Sequence, residues 1–276
     1  MIILLSTQSA KFSHSNLGLF FGQDLLFFAN AGVLTKPSDK DNYKHTKTQL
    51  FAHNSMQREI EHIDPYRTST QTGILGRVSD VLFSQQQLSV GRFNIYDRAE
   101  SLEGLHGAEP FIIDASGIPK FNQGASIEDM AATISNLNGA TEPDSGVFAD
   151  LWSDNLLNSI GASEMLTTAL SGVETLSSFS DDSYGKAMKM ISKIIATREH
   201  RGVDRDFFFF SVGGWDAHKQ VGWNLDTNLS MFDSAIQAFS NEMKSTDLWD
   251  STTIIQTSDF GRTLESNGGD GSDHAW

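Results

Sequence analysis

Residues able to hold a metal ion are concentrated in two short polar segments near the C-terminal end of the sequence. Five carboxylates and imidazoles form the candidate ligand set: Asp216, His218, Asp259, Asp273 and His274. Zinc, manganese and iron accept both ligand types in proteins. Arg262 offers a fork-shaped cation that suits a planar or tetrahedral anion. A metal here would acidify a water or hydroxyl nucleophile and neutralise charge on a transferring phosphoryl or sulfuryl group.

Each of these residues, taken alone, has a plainer structural explanation. An aspartate after a strand often caps a helix or closes a turn, and Gly213-Gly214 is ordinary loop composition. The set as a whole is different, because two histidines, three aspartates and an arginine follow two predicted strands. Such a set is better explained by a functional site than by turn chemistry.

A strand–helix–strand unit is expected to bring the two segments together. Residues 207–212 read Phe-Phe-Phe-Phe-Ser-Val, which is typical of a strand buried on both faces of a parallel sheet. Apolar residues at helical spacing follow over 229–243, and 252–257 predicts a second strand. Since such crossovers are right-handed and ligands bind beyond the carboxyl ends of parallel strands, we predict two neighbouring parallel strands with both polar segments at one edge.

The rest of the chain predicts a larger α/β domain around this unit. Apolar periodicity and turn residues predict further elements, which are helices within 50–63 and 74–83 and strands at 25–29, 92–95 and 111–113. A long series of apolar residues at helical spacing predicts a helical insertion over residues 126–200. We therefore expect one α/β domain over residues 1–276, with α/β/α layers around a mainly parallel sheet.

Composition excludes several classes of function. Lys and Arg total 20 against 35 Asp and Glu, a formal charge of −15, which disfavours nucleic-acid binding. The sequence has no cysteine, so disulfides, thiolate zinc sites and a cysteine nucleophile are ruled out. The apolar run at residues 1–5 is too short for a signal-peptide core, and no segment reaches membrane-spanning length. We expect a soluble, acidic chain that does not insert into membranes.

Several motifs resemble one known family. They are Gly-Gly-Trp-Asp-x-His at 213–218, Ser-Asp-Phe-Gly-Arg-Thr at 258–263 and Asp-His-Ala-Trp at 273–276. Upstream, Leu-Phe-Ala-His at 50–53 with Gln57, and Thr-Gly-Ile-Leu-Gly-Arg at 72–77, are more weakly similar. Together they resemble the large family called domain of unknown function 1501, which is itself similar to the alkaline phosphatase and sulfatase superfamily.

The resemblance implies roles for individual residues. By analogy with the superfamily, Asp216, His218, Asp259 and His274 would coordinate one or two divalent metals, with zinc expected and manganese, iron or calcium as alternatives. Arg262 would stabilise a substrate anion, and His53 would face the substrate; we therefore give these two residues catalytic roles. Many superfamily members have a histidine where this sequence has Phe260, so a full two-metal complement is not implied.

The ends of the sequence depart further from the family pattern. Family members usually begin with an export signal and a strand ending in a Gly-Gly-x-Asp-Gly segment, where the superfamily often places its nucleophile. This sequence shows neither, and it stops at Trp276, where relatives continue with a Gly-rich stretch. It therefore looks truncated at both ends, although the resemblance suggests an exported protein. We expect the chain alone to bind metal weakly and to hydrolyse esters poorly.

Two functions are compatible with these features. The first is a metal-dependent hydrolase of phosphate or sulfate esters, acting on a small-molecule or polysaccharide ester. The alternative is a non-catalytic metal-binding or scaffold protein that retains the fold. Phe260 and the lack of a recognisable nucleophile segment favour the alternative. Metal binding without turnover would distinguish the scaffold from the hydrolase.

Overall fold

A computed structural model describes residues 2–6, 37–64, 72–107, 109–114 and 146–275, together with isolated positions between these ranges. The described residues form a mixed α/β structure. Its strands are β1 (Ile2–Ser6), β2 (Val90–Ile95), β3 (Phe111–Ile113), β4 (Arg205–Phe210), β5 (Thr252–Gln256), β6 (Gly261–Arg262) and β7 (His274–Ala275). Its α-helices are α1 (His53–His62), α2 (Ile74–Gln86), α3 (Val147–Leu170), α4 (Ser183–Ala196), α5 (Arg198–Arg201) and α6 (Val221–Ser245). None of these helices is both long and apolar enough to cross a membrane.

The central sheet has five strands in the order β3-β2-β4-β1-β5. Strands β3, β2 and β4 run parallel, whereas β1 is antiparallel to both of its neighbours. The strands predicted at 92–95 and 111–113 match β2 and β3. The strand predicted at 25–29 lies outside the described residues.

The prediction that the two strands of the C-terminal unit are neighbours is wrong. Strands β4 and β5 belong to one sheet and run in the same direction, but β1 lies between them. Ile2 of β1 is opposite Phe210 at the end of β4 and opposite Gln256 at the end of β5. The carboxyl ends of β4 and β5 therefore still meet at one edge of the sheet, which is what the predicted site requires.

The four consecutive phenylalanines of β4 fill the core on both faces of the sheet. Phe208 and Phe210 join a cluster with apolar residues of α4 and α6. Phe207 and Phe209 point to the opposite face, where they pack with Leu75 of α2. Because successive strand residues alternate between faces, a run buried on both sides needs helices on both sides. The phenylalanine run is thus part of the core.

Three described helices lie in or overlap the region predicted as a helical insertion over 126–200. They are α3, α4 and α5, while most of residues 126–145 lie outside the described part of the chain. Helix α4 packs against α6 and contributes to the main core beside β2 and β4. Whether the region is an insertion in the family fold stays a prediction.

The Thr-Gly-Ile-Leu-Gly-Arg segment at 72–77 forms the start of α2. Arg77 donates hydrogen bonds to the backbone carbonyls of Thr72 and of His62, the last residue of α1. A Cβ atom on Gly76 would lie 1.7 Å from the backbone oxygen of Glu103, so α2 sits directly on the backbone of the segment after β2. The weak motif therefore has a structural explanation: it fixes the position of α1.

We expect Gly76→Ala to destabilise the protein by about 2 kcal/mol or more, because the added methyl group cannot fit without moving backbone. The matched control is Gly161→Ala in α3, where a Cβ atom would have no neighbour within 4 Å. That change is expected to stabilise by about 0.5–1 kcal/mol, since alanine favours the helix. Chemical denaturation measures both, and equal midpoints for the two variants would contradict this account.

Candidate metal centre

The carboxyl-terminal edge of the sheet carries all seven of the predicted site residues. They are His53 at the start of α1, Asp216 and His218 in the loop after β4, Asp259 after β5, Arg262 on β6, and Asp273 and His274 at the start of β7. Strands β6 and β7 form a small antiparallel ribbon in which Arg262 is opposite His274. The structure thus brings together residues that are more than 200 positions apart in the sequence.

The loop after β4 is fixed by polar contacts with two helices. The indole N–H of Trp215 donates to the hydroxyl of Tyr184 in α4 at 2.6 Å. The amide of Asn228 in α6 donates to the carbonyl of Gly214 at 2.9 Å. Gly214 has a φ of +93°, a backbone conformation that favours glycine. Asp216 is therefore presented by a loop with a defined shape.

The side chains of three histidines converge on the carboxylate of Asp216. Its Oδ1 lies 3.0 Å from Nε2 of both His218 and His274, and its Oδ2 lies 3.4 Å from Nε2 of His53. The Nε2 atoms of His218 and His274 are 3.1 Å apart. His53, Asp216 and His274 each place a possible ligand atom within 4.8 Å of the others. We call these four residues the inner group.

The other ring nitrogen of each histidine meets an oxygen acceptor. Nδ1 of His53 lies 2.5 Å from Asp259 Oδ2, and Nδ1 of His218 lies 3.1 Å from Asp273 Oδ1. Nδ1 of His274 lies 2.8 Å from the backbone oxygen of Phe51. Because carboxylates and carbonyls accept hydrogen bonds, the Nδ1–H form of each ring satisfies these contacts, and we assign that tautomer. A neutral ring then directs the lone pair of Nε2 towards Asp216, as in metal-binding histidines supported by a second acceptor.

These contacts provide a test of whether a metal fits. Asp216 Oδ1 and the Nε2 atoms of His218 and His274 lie 3.0–3.1 Å from one another, and Asp216 Oδ2 lies 3.4 Å from Nε2 of His53. With Nδ1–H rings, a cation among these atoms would remove the repulsion between their lone pairs. Ligand atoms of a tetrahedral zinc ion with bonds of about 2.0–2.1 Å are about 3.3 Å apart. Nε2 of His53 is buried and has no hydrogen-bond partner among the described residues. His53, Asp216 and His274 therefore form a ligand set that fits a divalent metal such as zinc, and His218 lies beside them, 3.0 Å from Asp216 and 3.1 Å from His274.

The charges around the inner group favour an ionised carboxylate. Burial raises the pKa of Asp216, but the hydrogen bond from Arg262, the close contact with His274 and the nearby His218 outweigh burial and hold that pKa at about 2. The side chain of Asp216 is 42% exposed and that of His218 is 46% exposed. The centre thus presents a permanent negative charge and is open to solvent.

Arg262 is held firmly beside Asp216. Its Nε donates to the hydroxyl of Ser272 at 2.9 Å, one terminal nitrogen donates to the backbone oxygen of Ser272, and the other donates to Asp216 Oδ1. These contacts use three of the five N–H groups of a guanidinium. Arg262 therefore orients Asp216 and retains donors for a further anion.

The N-terminal end of α1 is anchored by an apolar cluster and a strained residue. Leu50 and Met56 pack against Phe260, whose ring also contacts the rings of His53 at 4.7 Å and His274 at 4.3 Å between centroids. Phe51 has a φ of +65°, which is uncommon for a residue with a side chain. This conformation accompanies the turn that directs the carbonyl of Phe51 to His274.

The predicted site residues differ in whether they lie in the inner group or behind it as hydrogen-bond acceptors. His53, predicted from the family resemblance to face a substrate, lies in the inner group. Asp259 and Asp273, predicted as ligands, lie behind His53 and His218 as hydrogen-bond acceptors. The sequence reasoning missed the carbonyl of Phe51, because a backbone acceptor has no residue-type signal.

Protons and metal compete for the same Nε2 atoms, so we expect zinc affinity to fall with pH. The hydrogen bond to Asp259 raises the pKa of His53 despite the opposing effect of burial, and the charges of Asp259 and Asp216 raise it further. Since a raised pKa keeps His53 protonated up to a higher pH, zinc affinity should begin to fall before the pH has been lowered to about 6.5. The fall should be about tenfold per pH unit for each proton displaced. Titration with a competing chelator between about pH 8 and pH 6 measures this, and a pH-independent affinity would contradict it.

Comparison with known proteins gives one match. The model of the family described as "Protein of unknown function (DUF1501)" matches residues 156–276. No curated protein and no solved structure matches the chain. The matched segment contains every candidate site residue except His53, and it supports the resemblance drawn from the C-terminal motifs.

Proposed function

We propose that this protein is a metal-dependent hydrolase of phosphate or sulfate esters. The metal would be divalent, with zinc preferred because imidazole nitrogens and carboxylate oxygens are among its usual ligands. His53, His218, His274 and Asp216 would hold it. On a coordination position beyond those of the four residues, zinc would supply Lewis acidity at the ester and an acidified water as nucleophile.

One observation carries the proposal, namely that three Nε2 atoms meet at Asp216 while each Nδ1 is bound to an acceptor. Histidines grouped on a surface by chance would not all have an acceptor at Nδ1 and an Nε2 directed at the same carboxylate. Carboxylate–histidine–metal arrangements of this kind orient the ring and raise its basicity as a ligand.

The residues around the inner group would bind and orient the ester. Two N–H groups of Arg262 are not used by its contacts with Ser272 and Asp216, and they would donate to oxygens of the phosphoryl or sulfuryl group. Phe260 would form an apolar wall beside His53 and His274. The exposure of the centre suits either a small-molecule ester or an ester on a polysaccharide.

The finer description of the fold is also a proposal. Three parallel strands, helices on both faces and a polar cluster beyond the carboxyl ends of the strands support an alkaline phosphatase-like, three-layer α/β/α domain. Phe260 stands where many members of that superfamily have a histidine. We therefore propose a single-metal centre.

The proposal is tested by adding zinc to chelator-treated protein and following the hydrolysis of chromogenic phosphate and sulfate esters. We expect slow turnover that requires zinc and is lost in Asp216→Asn. The matched control is His200→Ala, which removes an exposed histidine of α5 outside the centre and should keep the activity. Turnover that is indifferent to Asp216 would refute the proposed centre.

The alternative is a metal-binding scaffold without catalysis. One contact favours the scaffold. Arg262 already donates one N–H group to Asp216, so that group does not bind a substrate anion. Zinc bound by the wild type and lost in Asp216→Asn, together with no ester hydrolysis, would support this alternative over the hydrolase.

A further inference from the structure

Asn267 lies in the loop between β6 and β7 and uses every hydrogen-bonding position of its side-chain amide. Its Oδ1 accepts from the backbone N–H groups of Gly269 at 2.9 Å and Gly271 at 3.3 Å. Its Nδ2 donates to the backbone oxygen of His218 at 3.0 Å and to Asp273 Oδ1 at 3.1 Å. The amide cannot be reversed, because N–H groups require its oxygen, while the carbonyl and the carboxylate require its nitrogen.

The Asp273 oxygen that accepts from Asn267 also contacts the ring of His218. Asp273 Oδ1 lies 3.1 Å from both the amide of Asn267 and Nδ1 of His218. Asn267 therefore touches His218 twice, directly at the backbone and through Asp273 at the ring. A Cβ atom on Gly271 would lie 2.0 Å from the backbone oxygen of His218, so the loop is packed closely against this residue.

We propose that Asn267 is a positioning residue of the metal centre. Through Asp273 it keeps His218 in the Nδ1–H tautomer, with Nε2 directed at Asp216 and His274. The tautomer of a histidine is set by the hydrogen bond at its other nitrogen. If Asp273 moved, the proton of His218 would be free to occupy Nε2, the atom needed for a metal. This inference rests on the proposed function only in treating His218 as part of a metal centre.

The variant Asn267→Asp distinguishes two roles of Asn267, namely positioning His218 and holding the loop between β6 and β7 together. An aspartate has the same shape and keeps an oxygen for the N–H groups of Gly269 and Gly271. It loses both donors and places a negative oxygen against Asp273 and the carbonyl of His218. The second variant, Asn267→Ala, removes the whole amide. Asn241→Asp is the control, because Asn241 is an exposed residue of α6 whose side-chain oxygen accepts from Gln237.

The experiment uses the full chain without metal and reads the tautomer of each histidine from long-range ¹H–¹⁵N NMR correlations at about pH 8. The wild type and Asn241→Asp should show His218 as Nδ1–H. Both Asn267 variants should move His218 towards Nε2–H. His53 and His274 should stay Nδ1–H, because Asp259 and Phe51 support them independently. Zinc affinity of the Asn267 variants should fall about 10-fold to 100-fold.

Three results would overturn the inference: a wild-type His218 that is not Nδ1–H, a tautomer unchanged in both Asn267 variants, or the same change in all three histidines. The last result would show a general loosening in place of a specific effect on His218. Since the tautomers are measured without metal, a wild type that binds no zinc or hydrolyses no ester would refute the proposed function separately.

Discussion

His274→Ala is expected to weaken zinc binding by at least about 100-fold. Nε2 of His274 lies within 3.1 Å of both His218 Nε2 and Asp216 Oδ1, so its loss removes a ligand from the middle of the inner group. Loss of a supporting residue costs about 10-fold to 100-fold, and a ligand should cost more. Because a bound metal stabilises the folded state, zinc should raise the Tm of the wild type and leave the Tm of His274→Ala nearly unchanged.

The same measurement separates ligands from supporting residues. Asp259→Asn retains an oxygen that accepts from Nδ1 of His53, so zinc affinity should fall by about tenfold or less if Asp259 only supports that ring. A loss as large as that of His274→Ala would make Asp259 a direct ligand, as first predicted from its place after a strand. The control His200→Ala should bind zinc like the wild type.

The largest effect on stability is expected at an ion pair in the core. Arg201 and Asp206 are 7% and 3% exposed at their side chains, and two terminal guanidinium nitrogens lie 2.9 and 2.6 Å from the two carboxylate oxygens. We expect Asp206→Ala to destabilise the protein by about 3–5 kcal/mol, because it leaves the charge of Arg201 buried without its counterion. Urea denaturation followed by circular dichroism measures the change.

The control for this pair is an ion pair on the surface. Lys186 and Asp181 lie 3.1 Å apart, with side-chain exposures of 48% and 98%. Asp181→Ala should leave the urea midpoint unchanged within error, because exposed pairs are screened by solvent. If the two variants lost similar stability, burial of the Arg201–Asp206 pair would not be the cause.

The elements that were predictable from the sequence are those with an unambiguous pattern. The phenylalanine run of β4 has one explanation, because four consecutive apolar residues before a Gly-Gly turn suit only a strand buried on both faces. Strand β1 was not predicted, since the short apolar run at residues 1–5 has no period to read. Its insertion between β4 and β5 depends on pairing across the whole chain, which local patterns do not encode.

The candidate centre was predictable in its membership and less so in its geometry. Residue type identified Asp216, Asp259 and Asp273 as possible ligands, but a carboxylate can bind either a metal or the Nδ1 proton of a histidine. Only interatomic distances separate the two roles. Asn267 went unnoticed because an asparagine among glycines is the ordinary composition of a turn. Its four hydrogen bonds show a role that composition could not.

The position of β1 also sets the order in which the sheet can be completed during synthesis. Ile2 pairs with Phe210 and Gln256, so β1 waits during synthesis for partners that emerge roughly 200 residues later. At about 5–20 residues per second this wait lasts about 10 to 40 s. Among the described strands, β5 pairs with the sheet through β1 alone. The segments carrying Asp259 and His274 can therefore dock only after both ends of the described chain have met, which makes the centre a late product of a slow, long-range closure.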